Sequence, residues 1–263
     1  MKPVFDRGLL AGTVLLPILL LAGGSVSAHP EDEFCMGADG LDPALCRALE
    51  ELDSRTGDLK PLVDESGLER GVWSTFGLYV TIGVRHILPD GSDHILFVLA
   101  IFLASTRFKA LIWQISAFTV AHTVTLALAA SGVISPPADV VEPLIAFTIA
   151  FVAIENLAFR EMTRWRPPVV FGFGLIHGLG FAGFFGELGL PPGQFWSALI
   201  GFNLGVEIGQ LSVILVAAIL GALLRRRLAD KEGRQQYRYA VALPASLAIG
   251  LTGLWWGVTR LIG

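Results

Sequence analysis

A chain of 263 residues that is 53% hydrophobic and only 16% charged, with a mean hydropathy of +0.64, has the composition of an integral membrane protein. Its net charge is −4, and its basic residues gather at the ends of apolar stretches, which leaves no surface for nucleic acid. No glycine-rich phosphate loop following a strand, no serine nucleophile elbow, no HExxH and no CxxC is present.

Residues 1–28 have the layout of a signal peptide. Lys2 and Arg7 form the basic end, Leu9 to Leu21 the apolar core, and Ser25-Val26-Ser27-Ala28 a small-residue cleavage site. An uncleaved anchor is the alternative, and either reading places the acidic segment 29–71 outside the cytosol. That exported segment holds both cysteines, Cys35 and Cys46, which in an oxidising compartment read as one disulfide. A helix is expected to open at Asp42-Pro43.

Apolar stretches follow near 92–105, 110–131, 141–159, 168–187, 195–224 and 239–262, with a less regular one at 72–88. Basic residues alternate from loop to loop: Arg107 and Lys109, then Arg160, Arg164 and Arg166, then a group from Arg225 to Arg238, with none between. Positive loops stay cytosolic, so a single net crossing separates residue 71 from residue 107. As one straight helix, 72–105 would be about 50 Å long, too long for a ~30 Å hydrocarbon core. Two placements of 72–88 solve this: an interfacial helix anchored by Trp73 and Tyr79, or a re-entrant half-helix ended by Pro89-Asp90-Gly91. The expected fold is an all-α polytopic membrane bundle over 72–263. It has about six transmembrane helices plus that extra one, in a bacterial-type inner membrane, with both ends of the mature chain outside.

Within these stretches lie side chains that hydrocarbon disfavours. A charged group at mid-bilayer costs roughly 2.5–3.5 kcal/mol on insertion scales, so repeating it on successive helices suggests groups that meet. His86 precedes the turn in RHILPDGSDHILF, and Asp93 and His94 follow it; Asp93 is a candidate ligand, a partner of a ligating imidazole, or only a helix cap. His122 is flanked by Thr119, Thr123 and Thr125, whose hydroxyls offer a purely structural alternative. His177 lies beside a small-residue stripe of Gly174, Gly178, Ala182 and Gly186, a pattern for close helix approach. Asn203, Glu207 and Gln210 share one helical face, which suits a carboxylate ligand supported by two amides or, alternatively, a protonated acid bonded to its neighbours. Glu155-Asn156, nearer the cytosolic end, reads equally as a lower station on a cation path or a snorkelling acid. On the charge-derived topology His94, His122, His177 and Glu207 fall in the outer half of the bilayer or near its midplane. Imidazoles converging with carboxylates at one level read first as a metal site.

HILPDGSDHILFVLAIFLA, VAHTVTLALA, FGFGLIHGLGFA and FNLGVEIGQ resemble the HupE/UreJ family of membrane proteins over roughly 72–224. The chain is more similar to the branch with GLxHGLGFA and FNxGVExGQ blocks than to the shorter permeases. The resemblance implies a nickel permease-like role and metal ligation by His86, Asp93 and His94, and by extension by His122, His177 and Glu207. The leading expectation is nickel or cobalt transport; imidazole and carboxylate also suit zinc, and a membrane-embedded zinc-dependent enzyme using the same residues is the alternative. The expected partners are the metal ion, the lipid bilayer and a secreted or membrane metalloprotein docking on 29–70.

Overall fold

The computed structural model describes residues 71–104, 108–159, 163–181, 193–227 and 237–262. Residues 1–70, with the expected signal peptide, the segment expected to be exported and the expected Cys35–Cys46 disulfide, lie outside these residues, as do Ala182 and Gly186. Every element described is helical: α1 Val72–Ile87, α2 Ser92–Ala104, α3 Phe108–Ala130, α4 Ala138–Ala158, α5 Arg166–Gly180, α6 Phe195–Arg227 and α7 Leu243–Ile262, the last entered through a π-helical turn at Arg238–Ala242. Among the described residues, four helical segments are long and apolar enough to cross a bilayer, namely α3, α4, Phe195–Leu224 and Arg238–Ile262. α1 and α2 meet at 71° and add a fifth if they count as one broken span. The protein is a multi-pass helical membrane bundle.

Three close helix pairs build it, each seated on glycines. α1 runs parallel to the first half of α6: Gly201 lies against the Phe76 carbonyl, Gly205 against the Val80 carbonyl, and Gly209 against the Ile87 side chain. A Cβ at Gly205 or at the facing Gly83 would collide with the opposite backbone. The hydroxyl of Ser197 also donates to the Val72 carbonyl at 2.8 Å. α5 lies parallel to α3, with Gly174 on the Phe118 carbonyl and Gly178 on that of His122. α4 and α7 run antiparallel, Gly253 meeting Ala146 and Ala150 and Gly257 meeting the Phe147 ring. Van der Waals contact at this range drives helix association where no hydrophobic force acts between helices.

α2 is wrapped by the others. It is apolar nearly all round, and Leu96, Phe97, Val98, Ala100 and Ile101 are all buried, as expected of a helix with no polar face. The longer helices turn apolar residues outward, among them Val120, Phe151, Leu215 and Leu251, which in a bilayer contact lipid. Of the two aromatic anchors expected on α1, Trp73 is exposed, but Tyr79 is fully buried and belongs to a core cluster with Ile87, Leu126 and Phe202. Tyr79 is therefore a packing residue and not an interfacial anchor. α1 is packed lengthwise against α6 through its glycine-matched face.

Candidate metal centre

The break between α1 and α2 delivers two histidines to one place. His86 lies in the last turn of α1, and His94 in the first turn of α2. The chain folds back so tightly that a Cβ at Gly91 would strike the His86 carbonyl. Their ring centres are 4.8 Å apart. α3 supplies His122, 5.9 Å from His94 and 6.4 Å from His86 between ring centres. One ring nitrogen from each of the three lies within 4.8 Å of the others.

Nε2 of His86, of His94 and of His122 is buried with no hydrogen-bond partner among the described residues. A buried imidazole nitrogen with nothing to bond is costly, and three together are the pattern a shared cation would resolve. Two nitrogens about 2.1 Å from one ion stand roughly 3.4 Å apart at a tetrahedral angle. The nitrogens of the triad, within 4.8 Å of one another, are more widely spaced than that. Around it Phe181 packs at 4.2 Å and Phe202 at 5.5 Å from the His86 ring, while Phe118 lies 6.1 Å from His94. This aromatic box carries no charge to compete for a cation.

Asn203 on α6 prepares His122. Its amide nitrogen donates to the Leu199 carbonyl at 2.8 Å, so Oδ1 is left to accept, and it lies 3.4 Å from His122 Nδ1. That contact favours a proton on Nδ1 and leaves Nε2 with its lone pair, the usual way an outer partner orients a ligand. His177, on α5, has its ring centre 5.0 Å from that of His94 and is buried. It stands beside the triad but outside the set of nitrogens that meet within 4.8 Å.

The carboxylates are placed elsewhere. Asp93 receives both ends of the Arg260 guanidinium, at 2.8 and 3.3 Å, and Arg260 also donates to the Glu142 carbonyl and lies over the Trp256 ring. Glu207 accepts from Ser116 at 2.9 Å, one helical turn beyond Asn203, and Gln210 accepts from Thr119 at 3.1 Å. Glu155 accepts from Thr163 at 2.5 Å and pairs with Arg166 at 3.4 Å. Asn156 accepts from Arg166 and donates to the Ala100 carbonyl. The structure thus gathers His86, His94 and His122, sets His177 against them with Asn203 behind, and keeps Asp93, Glu155, Asn156, Glu207 and Gln210 in pairs of their own.

Sequence reasoning did not single out Arg260, Arg166 or Thr148. Arg260 carried a signal: it is a basic residue at the end of the last apolar stretch expected to be non-cytosolic. Arg166, only 2% exposed, reads in sequence as one more cytosolic loop charge.

No curated protein and no solved structure matches the chain. Residues 63–260 match the model of the family described as HupE / UreJ protein, a span that takes in α1 to α6, α7 except its last two residues, and every residue of the candidate centre. The chain belongs to the HupE/UreJ family.

Proposed function

We propose that the protein moves a transition-metal cation, nickel or cobalt, across the inner membrane, with the His86–His94–His122 triad as the intramembrane binding station. The observation that carries this reading is the meeting of three imidazoles, from two arms of a broken span and a third helix, with their Nε2 atoms unspent. Imidazole suits nickel, cobalt and zinc, while the all-nitrogen set disfavours magnesium and calcium, which take oxygen. A broken helix whose ends line the site at mid-membrane is also a recurring device of secondary transporters.

On this reading α1 and α2 make one interrupted crossing, which satisfies the single net crossing required between residues 71 and 107. The exported segment then lies outside, where cations first meet the protein. Inward passage follows the α3–α6 seam along Asn203, Glu207 with Ser116, and Gln210 with Thr119. Glu155, tied to Arg166, lies off that route.

The zinc-enzyme alternative requires a carboxylate base beside the metal. Glu207 and Glu155, the two acids suited to that task, are engaged with Ser116 and Arg166, which weighs for transport. Cells carrying His94→Ala should accumulate far less radioactive nickel than cells with the unmodified protein; equal accumulation overturns the proposal. Because only a neutral imidazole binds metal, uptake should fall once the pH is low enough to protonate the triad.

A further inference from the structure

His177 was expected as a ligand, and the structure leaves it next to the triad with a partner that no motif pointed to. The hydroxyl of Thr148, on α4, lies 2.7 Å from the Ile145 carbonyl and 2.8 Å from His177 Nε2. A hydroxyl has one proton. A carbonyl oxygen can only accept, so that proton belongs to Ile145, and the Thr148 oxygen accepts in turn from His177. Nε2 of His177 therefore carries the ring hydrogen. Its Nδ1 keeps the lone pair and is buried without a hydrogen-bond partner. The ring is held by Phe97 and Phe118, at 4.9 and 5.1 Å, beside His94 at 5.0 Å.

We propose that Thr148 is a positioning residue: by accepting from Nε2 it holds His177 in the tautomer that offers Nδ1 as a fourth ligand to a cation at the triad. The inference rests on the metal-site reading above and adds a donor from α5 set by a hydroxyl from α4. The same logic operates twice, since the Asn203 amide selects Nε2 of His122 and the Thr148 hydroxyl selects Nδ1 of His177. Four neutral nitrogens from four helices then form a set suited to a borderline divalent ion. Such a set assembles fully only when α1, α2, α3 and α5 are all in place, which couples cation binding to the arrangement of the bundle.

Cobalt(II) is the probe, because its visible absorption reports coordination number and geometry. Detergent-purified protein and its Thr148→Val, Thr148→Ser and His177→Ala variants are titrated with cobalt, and thermal unfolding of each without metal is recorded alongside. Thr148→Val, which keeps the shape and loses the hydroxyl, should weaken cobalt binding by about 10–100-fold and change the spectrum toward that of His177→Ala, as loss of an outer partner does. Thr148→Ser should restore both the affinity and the spectrum. A Thr148→Val protein with unchanged affinity and spectrum overturns the inference while leaving the triad intact. An unmodified protein that binds no cobalt overturns the metal-site reading and this inference with it. Nitrogen-15 magnetic resonance of histidine in the unmodified protein tests the tautomer directly, whatever the variants' stability: a hydrogen on Nδ1 of His177 overturns the inference.

Discussion

Two of the polar clusters buried among the described residues differ in how completely their atoms are spent. Around Arg166, the guanidinium donates to Asn156 at 2.9 Å, pairs with Glu155 at 3.4 Å and reaches the Ala100 carbonyl. Asn156 in turn donates to that carbonyl and to Ser246. Charge meets opposite charge, and α2, α4, α5 and α7 are tied together. At the histidine centre three Nε2 atoms have no hydrogen-bond partner among the described residues. Apart from Arg166 Nε, which is buried without a hydrogen-bond partner among the described residues, the paired network has little left to offer a ligand; its worth is in holding helices together. Unpaired nitrogens facing one another cost stability, and they make sense as a place where something binds.

The largest effect should separate the two clusters cleanly. His94→Ala removes the central imidazole and should weaken cobalt binding more than about 100-fold, beyond the loss usual for an outer partner, with thermal stability unchanged or raised; equilibrium dialysis and thermal unfolding measure the two. Arg166→Met should do the reverse. It leaves the Glu155 carboxylate buried without its cation, so unfolding in detergent should cost about 3–5 kcal/mol less, while cobalt affinity of the folded protein stays the same.

A third variant tests how the centre is held. Gly205→Leu would force α1 away from α6 and carry His86 off the triad, so its loss of cobalt affinity should approach that of His86→Ala. The smallest effect is expected at Glu207. Because its carboxylate is bonded to Ser116 and stands apart from the triad, Glu207→Gln should change equilibrium affinity by less than about threefold, under 1 kcal/mol, while slowing uptake. A much larger loss of affinity would make Glu207 a ligand and blur the contrast between imidazoles and acids.

The residues that matter were visible in the sequence because hydrocarbon makes them conspicuous. A histidine among glycines in FGFGLIHGLG, or another in an apolar run such as VAHTVTLALA, has no reason to be there unless it meets something. The glycine spacings at Gly201, Gly205 and Gly209 and at Gly174 and Gly178 also announced which faces come close. Acids were harder. Asp93 sits one residue from His94, and its neighbour makes it look like a ligand. Its actual partner, Arg260, is 167 residues away, a pairing no local pattern reveals. Thr148 was invisible for the same reason, since one hydroxyl in a long apolar helix has many innocent uses.

By itself, then, the sequence determined that this chain is a helical membrane bundle, that it breaks at Pro89-Asp90-Gly91, and that its imidazoles stand on separate helices. Those properties follow from transfer free energy, backbone chemistry and chain period, all of which are local. Only the tertiary structure decided which imidazoles meet and which acids are already taken. Partner choice depends on the rotation and contact of helices far apart in the chain, and on which lone pairs remain when every nearer bond has been made.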